Sequence, residues 1–336
     1  MQRIFHPIML SCITVMVFSG RSTDQISFIK HDGKIDIVNN GRLITTYQYG
    51  DHLSKPILFP VMSPSGEMIT RSYPFTEVTG ESHDHPHHTG ISFTYGSNGE
   101  VNGNSFWANA HDKPPLTMAT KLPQIRHVDI PEMTTSKNTA RMGAISHWID
   151  KNNQALLREE RIMEFVVEKD AYRIDFSIHL SPLDTVVHFE DTKEGMFAIR
   201  VADWLAEDAN GTLFESTGEY LNAEGEKTEQ NIWAKRSAWV RLEGEKDEQK
   251  IGIAIFHHPA SINFPAYWHA RGYGCFAANP LGQYDYQKGR GLQNPQKRQL
   301  ILQPGESALF KFRVMIYDGG RTRQQLDEEF INFSGS

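Results

Sequence analysis

Cysteine is nearly missing from this sequence: 336 residues hold two, Cys12 and Cys275. If Cys12 leaves with an N-terminal segment, Cys275 stands alone, no intrachain disulfide is available, and stability has to come from packing. Positive charge is also short. Lys and Arg number 34 against 41 Asp and Glu, a net charge of -7, and this excludes the overall basic footprint of a protein made for nucleic acid or an anionic membrane. After residue 20 no apolar run approaches the roughly 20 residues that a spanning helix needs. Fixed-period repeats, low-complexity tracts and Pro/Ser-rich linkers are missing too, and long 3.6-residue periodicity is almost so.

What is present begins with residues 1–20, MQRIFHPIMLSCITVMVFSG, where Arg3 precedes an apolar run from Ile8 to Phe18 and small residues follow. That order reads as a secretory signal cleaved near Val17-Phe18-Ser19. A lipidated Cys12 is the weaker alternative, because the apolar run ahead of it is very short. The expectation is a periplasmic or secreted protein with a signal peptide over 1–20 and a single β-sandwich domain over 21–336.

From Gln25 onward short runs alternate: Ile26 and Phe28, then Ile35, Ile37 and Val38, then Leu43, Thr45 and Tyr47, with Asp32-Gly33 and Asn40-Gly41 between them. Such dipeptides between alternating runs predict two-residue hairpins. The same texture over 161–167, 172–180, 186–190, 197–201, 250–256 and 308–317 predicts further strands, and numerous strands without intervening helices argue an all-β sandwich or barrel. One helix is expected, over 321–333, with Leu326, Phe330 and Ile331 facing the body. Residues 108–123 and 206–230 read as long loops.

Three constellations can carry chemistry. The densest is Glu81-Ser82-His83-Asp84-His85-Pro86-His87-His88-Thr89-Gly90, followed by Asn102-Gly103-Asn104-Ser105-Phe106-Trp107. Imidazoles titrate near neutral pH and serve as acid, base or metal ligand, so His85, His87 and His88 are candidate catalytic residues. The plain alternative is a solvated loop with one structural histidine. In an extended segment His83, His85 and His87 share a side, which permits a divalent metal without requiring one. No HExxH, CxxC or facial-triad spacing accompanies them, and the preferred reading has no cofactor.

The second constellation runs from His257 to Gly282. Tyr267 and Trp268 offer flat faces for sugar rings, beside His269, Arg271 and Tyr273 and ahead of Asn279. Both aromatics can equally be core residues at a sandwich corner. In the third, Val187 to Arg200, alternation that sends Phe197 and Ile199 inward sends Arg200 outward, where it can hold a carboxylate or pair with Glu190 or Glu194.

The stretches HDHPHHTG with VNGNSFW, DTKEGMFAIRV, WAKRSAWV and HHPASINFPAYWHARGYGCFAANPLG resemble the PmoA-like family of bacterial proteins and together span most of the expected mature chain. The family's first motif reads HPHHRG, and Thr89 stands here at its basic position. The methane-oxidising membrane subunit suggested by the family's name does not suit a chain without apolar spans. The resemblance implies an antiparallel β-supersandwich similar to galactose mutarotase, with a short C-terminal helix, and a setting in bacterial glycan use.

Fold does not fix reaction. Glycoside hydrolysis needs two carboxylates at defined separation, and aldose epimerisation one acid and one base, which a His and a Glu can supply. Elimination beside a uronate needs a cation for the carboxylate, a base and an acid. The expectation favours the last: a lyase or dehydratase acting on uronic-acid-containing oligosaccharides, with His85, His87, His88, His269 and Tyr273 catalytic. Arg200, Arg271, Trp107, Tyr267, Trp268, Asn279 and Glu190 would bind substrate. A glycoside hydrolase, a sugar epimerase and a non-catalytic glycan-binding protein are the alternatives, and no nucleic-acid partner or membrane span is expected.

Overall fold

A computed structural model of the chain describes residues 25–107, 122–209 and 211–335. The expected signal segment with Cys12, and 108–121 of the expected loop 108–123, lie outside the described residues.

Strands, numbered in chain order, form two antiparallel eight-stranded sheets and a two-stranded ribbon. Across the first sheet run β1 (Ile26–His31), β2 (Lys34–Asn39), β3 (Arg42–Gln48), β4 (Ile57–Val61), β5 (Ile91–Tyr95), β11 (Gly195–Arg200), β16 (Cys275–Asn279) and β15 (Tyr267–Ala270). Across the second run β12 (Glu219–Asn222), β13 (Trp239–Lys246), β14 (Gln249–His257), β18 (Ala308–Asp318), β9 (Ala171–Pro182), β8 (Ala155–Val167), β7 (Thr139–Ile149) and β6 (Gln124–Thr135). The ribbon pairs β10 (Val187–Phe189) with β17 (Leu300–Leu302). The all-β expectation therefore stands.

Both opening hairpins close as two-residue turns, with His31 opposite Lys34 and Asn39 opposite Arg42. Asn40 and Gly41 both take positive φ, 49° and 77°, which matches the turn to the right-handed twist of the strands. The expected loop 206–230 contains β12 and opens a short helical turn at Glu229.

One apolar core fills the space between the sheets, drawing Phe93, Phe197, Ile199 and Phe276 from the first and Phe165, Phe176, Phe310 and Phe312 from the second. Phe197 stacks on Phe312 with ring centroids 4.4 Å apart. The C-terminal helix, Arg323–Ser334, starts at Thr322, whose hydroxyl accepts from the Gln325 N–H while the Gln325 side chain returns to the Thr322 N–H. Leu326 and Phe333 are buried beneath it and Phe330 partly so. The expectation for Ile331 is corrected: it is 65% exposed, because residues 326, 330 and 333 follow the helical repeat and 331 falls beside the stripe. Among the described residues no helix is long and apolar enough to cross a membrane.

Candidate active site

Alternation along the strands builds the floor. Where Phe93, Phe197, Ile199 and Phe276 point into the core, their neighbours Ser92, Thr94, Ala198, Ala277 and Arg200 face away from the second sheet. Register aligns His269 with Ala277, Ala277 with Ala198 and Ala198 with Ser92. Small residues thus make a low floor with His269 at one end, and Trp107 packs on its two alanines.

The histidine loop is pinned above this floor. Arg71, 1% exposed, donates through Nη1 to Asp84 Oδ1 at 2.6 Å and through Nη2 to the carbonyls of His85 (2.9 Å) and His88 (3.2 Å). Arg200 donates to the same Asp84 Oδ1 at 2.7 Å and to Ser82 Oγ at 3.0 Å. Asp203 accepts from the Ser82 N–H and hydroxyl, and Glu81 accepts from the N–H groups of Ser72 and Tyr73. Burial alone would raise the Asp84 carboxyl, but the His85 hydrogen bond and the two guanidiniums hold it well below the usual carboxylate range. Burial and the neighbouring Arg200 pull Arg71 down to about 10.

Clamped in this way, His85 takes φ +40°, a conformation uncommon outside glycine. Its ring lies parallel to His88 (centroids 4.9 Å, 3°) and to Tyr273 (5.0 Å, 5°). His87 stands edge-on to His88 at 4.2 Å. These rings, with Lys193 and Glu194 from just before β11, His269 from β15 and Arg271 from the residues that follow it, line a cleft of about 450 Å³.

Protonation in the cleft follows from contacts. Trp107 Nε1 reaches His88 Nε2 at 3.2 Å, and since an indole N–H can only donate, Nε2 accepts and the neutral ring carries its proton on Nδ1. Burial, joined by the charges of His87 and Arg200, holds the His88 pKa well below its ordinary value. Burial likewise lowers His269, to about 4, against the pull of Glu194. At Glu194 burial acts to raise the pKa, but the Lys193 hydrogen bond and the charges facing it from His269, Lys193 and His87 outweigh it, and the carboxyl stays below its ordinary value. Burial pushes the Tyr273 phenol up, so it remains protonated.

Of the residues expected from sequence, His85, His87, His88, His269, Tyr273, Arg271 and Trp107 line this one cleft. Trp107 is 5% exposed, so it anchors His88 more than it offers a face. Arg200 lies under the loop, bound to Asp84 instead of Glu190 or Glu194. Four expected binding residues sit elsewhere. Trp268 is fully buried and donates to the Ser237 carbonyl; Asn279 is fully buried and holds the Thr192 carbonyl and the N–H groups of Leu281 and Gly282. Tyr267 stacks on Tyr286, and Glu190 accepts from Gln299.

The common side expected for His83, His85 and His87 is also corrected. The positive φ at His85 breaks the extended run, and His83 turns to stack on Tyr73 at 4.4 Å beside a neighbouring cleft of about 430 Å³. Among the described residues no three His, Cys, Asp or Glu side chains gather as a metal cluster. Sequence reasoning gave Lys193 and Arg71 no role, and it met Asp84 and Glu194 without choosing either as a site residue. The available signal was the Lys193-Glu194 pair immediately before a strand whose outer face carries Arg200.

A family model spans residues 34–331 and is described as a family of unknown function, DUF6807. The chain belongs to this family. DUF6807 carries no activity in its description, and the PmoA-like name is not the one matched. No curated protein matches the chain. Among solved structures, the DUF6807 chain is similar to the Slr1438 protein of Synechocystis (12% identity, 87% of this chain, 95% of that one, TM-score 0.33). It is similar also to a galactose mutarotase related enzyme of Lactobacillus acidophilus (10%, 88% and 98%, 0.29) and a putative aldose 1-epimerase of Escherichia coli (12%, 88% and 99%, 0.27).

Proposed function

We propose that the cleft performs acid–base chemistry on a sugar, and that the reaction is epimerisation of an aldose at its anomeric carbon. The observation behind this is the ionised Glu194 carboxylate set among His87 and His269 in a cleft walled by the parallel rings of His85 and Tyr273. An ionised carboxylate acts as base and a neighbouring imidazole as acid, while flat rings suit the apolar face of a pyranose. Glu194 removes the proton of the anomeric hydroxyl as His87 protonates the ring oxygen. The bond between the anomeric carbon and the ring oxygen breaks, an aldehyde forms, and rotation followed by the reverse transfers closes the other anomer with no net change of protons. His269, held neutral, positions a hydroxyl by hydrogen bonding. This scheme asks for no free cation, in keeping with Arg200 being engaged by Asp84 and Lys193 by Glu194.

The second reading is β-elimination on a uronate, by a lyase or dehydratase. It rests on Arg271, which faces Glu229 through Nε at 2.7 Å while its side chain, 36% exposed, lines the cleft. Either reaction suits an exported protein of glycan use, the location proposed from residues 1–20.

One experiment separates the readings. The protein is given freshly dissolved aldoses and uronate oligosaccharides, with optical rotation, ultraviolet absorbance and product mass followed together. Faster anomeric exchange is expected, and Glu194→Gln should lower kcat by about 10²–10⁴-fold with KM little changed. A rising double-bond absorbance instead, with water loss or chain cleavage, transfers the proposal to elimination. Sugar binding with no product in either assay would sink the catalytic reading.

A further inference from the structure

Tyr273 lines two spaces: the cleft of the histidine rings and the neighbouring cleft of about 430 Å³ beside His83. Two charge pairs straddle the same boundary. Asp84 lines the second cleft and accepts from Nδ1 of His85 at 2.6 Å, while His85 lines the first. Glu229 lines the second cleft with its Oε1 2.7 Å from Nε of Arg271, which lines the first. The two clefts are therefore adjacent along one partition, built from Tyr273 and these pairs. Each lies toward the small end of the roughly 300–1,000 Å³ of ligand clefts, room for one sugar ring apiece.

The partition also sorts charge. In both pairs the basic partner lines the first cleft and the carboxylate the second. Asp203 and Asp208 add to the acidic side, against Arg200 and the His83 ring. Glu229 also accepts from the Gly272 N–H and its side chain is 35% exposed; a carboxylate has about four acceptor sites, so a hydroxyl can still be received. Such a lining takes hydrogen bonds from a neutral, hydroxyl-rich ring and repels a ring that carries a carboxylate.

We infer that the second cleft is a subsite for a neutral sugar unit, and that the substrate is a disaccharide or longer chain lying across Tyr273 with its reducing end in the first cleft. The reducing-end assignment rests on the function proposed above: anomeric exchange needs a free anomeric hydroxyl beside Glu194, so the neighbouring unit is joined through another hydroxyl of that ring. The adjacency of two subsites does not rest on it.

Binding calorimetry and anomeric-exchange rates test this, with glucose and galactose set against a panel of neutral disaccharides that carry those sugars at the reducing end. The best linkage is expected to bind about tenfold tighter than its monosaccharide, the worth of one or two net hydrogen bonds. Thr212 is part-exposed and lines the second cleft but not the first. Thr212→Trp should erase the gain while Tm and monosaccharide binding hold, and Thr212→Ser should keep it. Oxidising the non-reducing unit to a uronate should erase it too; a uronate that keeps the gain overturns the neutral subsite. Mono- and disaccharides bound alike across the panel, or a gain that survives Thr212→Trp, would overturn the inference and leave the function proposed above standing. A disaccharide that binds tighter yet exchanges no faster than in buffer keeps the subsite and removes that function. Binding of neither class overturns both.

Discussion

At Asp84 two guanidiniums meet one carboxylate, and the histidine loop takes its shape from that contact. Asp84→Asn preserves the outline but deprives Arg71 and Arg200, both about 1% exposed, of the carboxylate they share, leaving Asp203 and Glu81 as the anions near Arg71. Breaking a buried pair costs about 3–5 kcal/mol. Asp84 has a side-chain exposure of 37%, so solvent screening reduces the expected loss to about 2–3 kcal/mol, read as a lower urea midpoint. An unchanged midpoint would show that the arginines find other partners. The sign with pH is definite. The folded carboxyl lies below its unfolded value, so its contribution is complete above about pH 4 and fades as pH falls toward the folded value. The sequence displayed the histidines because they are adjacent, whereas Arg71, Arg200 and Asp203 join the loop only through tertiary contacts, and nothing in local spacing marks them as its support.

The C-terminal helix makes the same contrast between elements. Its Thr322-x-x-Gln325 start is a capping box in the sequence, and Thr322→Ala should cost about 0.5–2 kcal/mol, with Thr322→Ser recovering most of it in thermal unfolding; no change in Thr322→Ala would mean the helix is held by packing alone. The helix was legible, yet its buried face was read one position off at Ile331 because a short helix with few apolar residues leaves its phase open. Strands with Val, Ile and Phe on alternate positions, such as β9, β14 and β18, were legible for the same reason they are stable: one face meets the core. β6 escaped notice because it is an edge strand, mostly exposed and interrupted by Pro131. β7 escaped because its inward residues include Ala140 and Ala144, too small to give a strong period-two signal.

Over the whole molecule, buried neutral histidines set the response to acid. His257 is held to about 3 and His269 to about 4, and His88 also lies far below its ordinary value, burial being the largest cause in each. Unfolded, each would titrate near 6.5. Below that pH the unfolded chain binds more protons than the folded one, so stability falls as pH drops, by about 1.4 kcal/mol per unit for each group until its folded value is reached. Calorimetry near pH 5 should find close to two protons taken up on unfolding by His257 and His269, and His269→Gln should remove about one; an unaltered uptake in that variant would show that His269 is already protonated in the fold. The cleft itself joins stretches far apart in the chain: the histidine loop before β5, Glu194 before β11, and Tyr273 before β16, with β11 seated between the other two. Such pairings are slow to find because distant segments must meet before either gains anything. During synthesis the ribosome delivers the histidines early and the tyrosine late. A nascent chain halted near residue 150 already carries the loop with nothing opposite it, so the cleft is walled only after Tyr273 has been made, and a cut between residues 107 and 194 separates the histidine loop from the Glu194 and Tyr273 that face it.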